Sequence, residues 1–128
     1  MNKKEKSVVM TTLGKTWLLD IDGTIVKHNG YKIDGEDCLL SGINKMFSQI
    51  DSQDIVVLLT SRGEEYREQT ELFLKKNNVR YNYIIFGLPY GERILINDKK
   101  PSGAKMAFAI NSERDHAYEL NIIRDSEM

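Results

Sequence analysis

The sequence lacks a second cysteine, a long apolar run and an excess of charge of either sign. Because Cys38 stands alone, the chain cannot form an internal disulfide, and a reducing compartment suits it. No stretch reaches the roughly 18 uninterrupted apolar residues of a membrane span, and the basic opening lacks the apolar core of a signal peptide. We therefore expect a cytoplasmic protein with no membrane partner.

The charges are balanced, since 18 basic and 19 acidic side chains are interspersed and give a net charge of -1. No basic surface for nucleic acid is visible, so we do not expect that partner. With 128 residues and no repeats, the chain predicts one domain, 1–128, in which 1–10 and about 120–128 are candidate flexible tails. A homo-oligomer stays open, and "YELNII" in the tail fits an edge strand or a partner contact.

Short apolar runs alternate with helical patterns along the chain. "TWLLDI" and "IVVLLT" are typical of strands buried on both faces, while "YNYIIF", "RILIN" and "MAFAI" are weaker candidates. A helix is predicted after Ser41, its candidate N-cap, and a second over "EEYREQTELFLKKNN", with acids first and lysines last. This alternation predicts an α/β fold, a Rossmann-like three-layer sandwich with a parallel central sheet.

The pair Asn29-Gly30 interrupts that alternation. It lies between two short alternating runs and suits the positive φ angles of a type I′ turn, so it predicts a β-hairpin flap after the first buried strand. Ligands of open parallel sheets bind beyond the carboxyl ends of the strands, which would place this flap beside a binding site.

Asp20 and Asp22 end the first buried strand. Their spacing of two puts both carboxylates on the same side of the backbone, where they repel each other unless a cation or a shared proton relieves them. Mg²⁺ takes such oxygen ligands. With the metal bound, Asp20 could attack phosphorus, and Asp22 could act as general acid and then general base.

The stretch "LLDIDGT" resembles the first motif of the haloacid dehalogenase-like (HAD) hydrolase superfamily, an apolar strand followed by DxDGT. The resemblance covers about residues 15–111. It implies that Thr60, after the second strand, binds phosphate as the second motif, with Ser61 beside it. Arg62 fits either a substrate phosphate or a surface ion pair. In "ILINDKKP", Asp98 resembles the acid that completes a metal set of the Asp20 carboxylate, the Asp22 backbone carbonyl and Asp98.

The third motif of that superfamily, a lysine that holds the phosphoryl group, is altered here. Leu88 stands where the lysine is sought in "FGLPYGER". Lys100 before Pro101 is the first choice to replace it, and Lys99, Arg93 and the helix lysines are alternatives.

No cap domain fits between these motifs, so the site should be open. Tyr31 and Arg93 are candidates for substrate contacts. The chain is similar to small capless phosphatases of bacterial surface-polysaccharide pathways, which implies a Mg²⁺-dependent phosphomonoester hydrolase acting on a sugar phosphate or similar metabolite. Two alternatives remain, a polynucleotide-end phosphatase and a catalytically silent binding or regulatory module. A receiver-type domain is disfavoured because its acceptor aspartate ends a later strand, which here ends in Thr60.

Overall fold

The computed structural model describes residues 6–127. The elements, numbered in chain order, are five strands and three helices. The strands are β1 (Lys6–Met10), β2 (Thr16–Asp20), β3 (Ile55–Leu59), β4 (Tyr83–Ile85) and β5 (Leu120–Arg124). The helices are α1 (Gly30–Ile33), α2 (Ile43–Phe47) and α3 (Arg67–Lys76), with a 3₁₀ turn over Glu64–Tyr66 leading into α3. None of these helices is long and apolar enough to cross a membrane.

The described strands form two sheets, and every strand pair is parallel. One sheet has the order β2-β3-β4, and the other consists of β1 and β5. The runs "TWLLDI" and "IVVLLT" are therefore confirmed as the neighbouring strands β2 and β3. The weaker run "YNYIIF" forms β4 over fewer residues than predicted. The α/β character is confirmed. A single central sheet within a three-layer sandwich is not, because the parallel strands divide between two sheets.

The core lies where β3 meets α3 and the turns that follow β2. Alternate residues of β3 face inward, and Val56 and Leu58 are completely buried, as the period of a strand requires. From α3, Leu74 enters the same core, and the acids and lysines at the ends of this helix match its dipole. The buried apolar cluster comprises Ile21, Ile25, Val26, Ile43, Met46, Val56, Leu58 and Leu74.

The chain ends are more ordered than the sequence predicts. Residues 6–10 and 120–124 were expected within flexible tails, yet they pair as β1 and β5. Gln49 ties β5 to the rest of the chain, because its Oε1 accepts a hydrogen bond from the Ile122 amide at 3.0 Å and its carbonyl accepts one from Arg124 at 2.9 Å. Within "YELNII" the predicted edge strand forms as β5, and the partner contact stays a prediction. Residues 1–5 and 128 lie outside the described residues.

The predicted hairpin at Asn29-Gly30 is wrong. Asn29 alone takes a positive φ, 56°, and Gly30 begins α1, because the amide of Ile33 bonds to the Asn29 carbonyl at 2.9 Å. A type I′ turn needs positive φ at both positions. Antiparallel hydrogen bonds form further out, from Lys27 to Cys38 and from Leu40 to Ile25, both at 2.9 Å. The excursion after β2 is thus a wide loop that contains a helical turn.

Three smaller expectations also fail. The predicted strands at 93–97 and 106–110 lie within a long loop, residues 87–119, that contains no helix or strand. Ile94 and Ile96 are 83% and 91% exposed there, because this segment does not join a sheet whose faces are covered. The N-cap of α2 is Gly42, with φ 84°, and not Ser41.

Candidate functional site at the carboxyl ends of β2 and β3

The parallel register of β2 and β3 sets the position of the site. Asp20 is paired with Leu59, so the residues that follow both strands emerge at the same edge of the sheet. The amide of Ile21 bonds to the Leu59 carbonyl at 3.2 Å and extends this alignment by one residue. Asp22 and Thr60 therefore come together although 38 positions separate them, and the Thr60 hydroxyl donates to Asp22 Oδ2 at 3.3 Å.

Asp20 is half-buried beside Arg93. Nη1 of Arg93 lies 3.1 Å from Oδ1 of Asp20, and the two side chains are 39% and 38% exposed. Burial raises the pKa of the Asp20 carboxyl above its ordinary value, and the hydrogen bond and charge of Arg93 offset only part of that rise. A further cation would favour the ionised form of this carboxyl.

Asp22 is bound to Arg62, a buried arginine. Arg62 Nη2 lies 2.9 Å from Asp22 Oδ1, and the Asp22 side chain is 16% exposed. Burial would lower the pKa of the Arg62 guanidinium, but its hydrogen bonds and charge pairs with Asp37 and Asp22 outweigh this and hold that pKa above its ordinary value. Arg62 is consequently a permanent cation behind Asp22.

The turn after β2 requires glycine at position 23. Gly23 has φ 81°, and its amide bonds to the Val26 carbonyl at 2.7 Å, which closes the turn. A Cβ at this position would lie 3.3 Å from the Arg114 side chain, so a larger residue meets both backbone strain and a close neighbour. The glycine of "DIDGT" thus allows the long loop to lie against the site.

The two carboxylates face an open, polar cavity of about 660 Å³. Basic side chains from three parts of the chain, Lys32, Arg93 and Arg114, line it together with the aromatic Tyr31 and Tyr90. The remaining lining residues are Asp20, Asp22, Gly23, Thr24, His28, Asn29, Ser61, Arg62, Pro89, Gly91 and Ser112.

Most of the site residues predicted from the sequence meet at this cavity. Asp20, Asp22, Ser61, Arg62, Tyr31 and Arg93 line it. Thr60 lies just behind the wall, completely buried, and its hydroxyl is engaged by Asp22 and by the amide of Arg62, which donates to it at 3.0 Å.

Asp98 and Lys100 differ from expectation, since neither lines the cavity. Asp98 is exposed in the long loop, and Lys100 closes a turn by donating its amide to Ala104 at 3.0 Å. The strand predicted at 93–97 would have carried both residues to the sheet edge, and it does not form. Arg93 is the cation of the "FGLPYGER" region that reaches Asp20.

The metal prediction fits in part. Asp20, predicted to bind through its carboxylate, and Asp22, predicted to bind through its backbone carbonyl, both line the cavity, and Mg²⁺ commonly binds one or two carboxylates together with waters and substrate phosphate. Within residues 6–127, however, no group of three or more acidic, histidine or cysteine side chains is arranged to hold a metal. The two strand-end aspartates are thus the residues that could hold the ion, and Asp98 does not join them.

Asp37 and Thr70 belong to the site but were not predicted. Both are buried, and both accept hydrogen bonds from Arg62. Nothing local marks Asp37, because its partner is 25 positions away. Thr70 did carry a signal, since it is a polar residue on the apolar face of α3 and needs a hydrogen-bond partner there.

A search of solved structures finds a chain in the "Structure of Pnkp1/Rnl/Hen1 complex" that is 30% identical to this one. The match covers 66% of this chain and 32% of that chain, with a TM-score of 0.47. This chain thus spans about a third of the length of the chain it matches. No protein family and no curated protein matches the sequence.

Proposed function

We propose that this chain is a Mg²⁺-dependent phosphomonoester hydrolase of the HAD type, with Asp20 as nucleophile. The observation that carries the proposal is the placement of Asp20 and Asp22 at one cavity, each beside an arginine. The Asp20 carboxylate faces the cavity with Arg93 next to it, and the Asp22 carboxylate is held in the cavity wall by Arg62. Two carboxylates with different surroundings can divide nucleophilic and acid-base roles.

The reaction would proceed in two balanced steps. A carboxylate oxygen of Asp20 attacks phosphorus, and the ester P–O bond breaks. The leaving oxygen keeps the electron pair and takes a proton from Asp22. A water molecule then attacks the same phosphorus and gives a proton to Asp22, while the bond between phosphorus and Asp20 breaks and inorganic phosphate leaves. Asp20 and Asp22 return to their starting protonation states.

Arg93 and Ser61 are the groups that we assign to the phosphoryl oxygens. Arg93 is close enough to Asp20 to screen its charge from the incoming phosphate, the role that the sequence assigned first to Lys100. Ser61 lines the cavity and can offer a hydroxyl donor. Tyr31 is proposed for contacts to the leaving group. Roles for Thr60, Asp98 and Lys100 remain predictions from the resemblance, and the last two must reach a cavity that they do not line.

The Asp20 carboxylate and the Asp22 backbone carbonyl would hold the Mg²⁺ ion, which leaves the Asp22 carboxylate for proton transfer. When bound, the ion would neutralise charge on the phosphoryl oxygens, and it would add the further cation that favours ionised Asp20.

For the substrate, we propose a sugar phosphate or a similar small metabolite, because the net charge of -1 gives no general attraction for a polyanion. A polynucleotide end is the second candidate. The net charge does not favour this substrate, but the cavity does. Lys32, Arg93 and Arg114 line the cavity and would attract phosphates, and Tyr90, 90% exposed, could stack on a base.

The test is release of inorganic phosphate from three substrates: a sugar phosphate, p-nitrophenyl phosphate and an oligonucleotide with a terminal phosphate. Each is measured with Mg²⁺ and with a chelator. We expect Asp20→Asn to lower kcat by a factor on the order of 1,000 or more, because the amide cannot form the covalent intermediate. Asp34→Asn is the matched control, since the Asp34 side chain forms an exposed ion pair with Lys27 outside the cavity.

Equal phosphate release by Asp20→Asn and wild type would rule out the covalent route. Absence of release from every substrate, by a folded wild-type protein with Mg²⁺, would favour a silent binding or regulatory module.

A further inference from the structure

All N–H groups of the Arg62 guanidinium are already bonded within the protein. Nε donates to both oxygens of Asp22, at 3.3 and 3.1 Å, and Nη2 donates to Oδ1 of the same carboxylate at 2.9 Å. The opposite side donates to Asp37, from Nη1 to Oδ2 at 3.0 Å and from Nη2 to Oδ1 at 2.7 Å. Nη1 also donates to the Thr70 hydroxyl at 2.9 Å. A guanidinium has five N–H groups, so none remains for a substrate.

The surroundings of Arg62 also restrain its side chain. The side chains of Arg62 and Asp37 are only 1% and 2% exposed. The ring of Tyr31 covers one face of the guanidinium, with its centroid 3.9 Å from Cζ. Tyr31 is itself held by edge-to-face packing on Tyr66, with 4.8 Å between the ring centroids. Arg62 is therefore restrained along its edges and on one face.

The three charged residues differ in exposure. The side chains of Asp37 and Arg62 are almost completely buried, while that of Asp22 is 16% exposed; Asp22 and Arg62 both line the cavity, and Asp37 lies behind them. A charge pair with the bidentate geometry of Arg62 and Asp37 is rigid. Through Arg62, Thr70 of α3 and Asp37 of the loop before α2 therefore restrain the position of the Asp22 carboxylate.

We propose that Arg62, anchored by Asp37 and Thr70, is a positioning residue that fixes the Asp22 carboxylate at the cavity wall and does not bind substrate phosphate. The kinetic consequence depends on the proposed function, in which Asp22 protonates the leaving oxygen. The interpretation of Arg62 as a phosphate ligand is thereby replaced.

The kinetic test compares leaving groups. An alkyl phosphate needs a proton on its leaving oxygen, whereas p-nitrophenolate leaves without one. We expect Arg62→Lys and Asp37→Asn to lower kcat/KM about 10- to 100-fold for the alkyl ester and less than about threefold for p-nitrophenyl phosphate, because kcat/KM reports the steps up to departure of the leaving group. A phosphate ligand would instead lower kcat/KM for both esters to a similar extent, and that result would overturn the proposal.

A double variant tests whether Arg62 acts through Asp22. If it does, adding Arg62→Lys to Asp22→Asn should cause no further loss of kcat for the alkyl ester. Multiplied losses would contradict the proposal. Arg67→Lys is the matched control, because Arg67 bonds to Glu64 on the exposed surface and should leave both esters unaffected.

A spectroscopic test separates this proposal from the proposed function. The Arg62 Nε–H should give an NMR signal that exchanges slowly with water in the wild type, shifts in Asp37→Asn and is lost in Asp22→Asn. Exchange as fast as that of Arg67 would overturn the proposal, even in a folded protein with no activity. Slow exchange without phosphate release would keep the positioning and reject only the hydrolase.

Discussion

Residues 16–86 and the long loop, residues 87–119, contain similar apolar runs but use them differently. In the first region, "IVVLL" pairs on both sides and two of its residues are completely buried. In the second, "RILIN" contains three adjacent branched apolar residues, Ile94, Leu95 and Ile96, yet all three are more than half exposed. An apolar run becomes a strand only where neighbouring edges accept its backbone hydrogen bonds and other side chains cover its faces.

Asp54 illustrates what the middle of the long loop, residues 94–110, lacks. It is 2% exposed, and its carboxylate accepts hydrogen bonds from the amides of Lys15 and Asp51 and from the indole of Trp17, each at 2.9 Å. These bonds join the start of β2 to the start of β3. The loop has turns of its own, such as the bond from the Gly103 amide to the Lys100 carbonyl at 2.8 Å, but they are local.

The largest effect should come from Leu58→Ala. Leu58 is completely buried between β2 and β4, so truncation removes apolar contacts and leaves a cavity in the sheet. We expect a loss of about 2–5 kcal/mol in the free energy of unfolding, measured by urea denaturation. A loss under about 1 kcal/mol would mean that β3 is not the centre of the core.

Asp54→Asn should have an intermediate effect, a loss of about 1–3 kcal/mol in the free energy of unfolding at neutral pH. The carboxylate oxygens accept three N–H hydrogen bonds, and the NH₂ group of asparagine cannot accept them. Burial would raise the pKa of Asp54, but the hydrogen bonds from Lys15, Trp17 and Asp51 hold that pKa below its usual range. Its stabilisation is thus present above the pKa of the unfolded chain and is lost as pH falls through the folded pKa. The difference between wild type and variant should narrow below about pH 4.

Denaturation midpoints measured from neutral to acidic pH check this prediction, with Asp34→Asn as the exposed control. A difference that stays constant with pH would contradict the assigned role of the Asp54 charge.

The smallest effect should come from Leu95→Ala, the match of Leu58→Ala in the long loop. Leu95 is 57% exposed, so we expect a change within about 0.5 kcal/mol in the same urea experiment. A loss comparable to that of Leu58→Ala would show that the loop packs against the sheet in solution. Residues 16–86 and the long loop would then not differ in packing.

The elements predictable from the sequence are those with a local pattern. β2, β3 and α3 combine apolar periodicity with matching ends, and all three form as predicted. The hairpin failed because Gly30 was free to enter a helical turn that "YKI" continues, a competition that the Asn-Gly pair alone does not reveal. The pairing of β1 with β5 joins segments more than 100 positions apart, and no local signal encodes it.

The same distinction holds for the candidate site. Spacing within "DIDGT" and the ends of two parallel strands were enough to bring Asp20, Asp22, Ser61 and Arg62 to one cavity. The partner of Arg62 could not be predicted, because a buried carboxylate such as Asp37 looks like any other acid in a loop. Asp98 shows the converse, since its prediction depended on a strand that did not form.

Hydrogen bonds attach both ends of the long loop to the site. At one end the amide of Gly87 bonds to the Arg62 carbonyl at 2.7 Å. At the other, the Asp115 amide bonds to the Gly23 carbonyl at 2.8 Å and the Asp115 carboxylate accepts the His28 amide at 2.7 Å. Because closing a flexible loop costs only about 0.6 kcal/mol more for each doubling of its length, the middle could be lengthened, shortened or exchanged between relatives without moving either attachment. New specificity could therefore arise by insertion there, while the acidic pair stays in place.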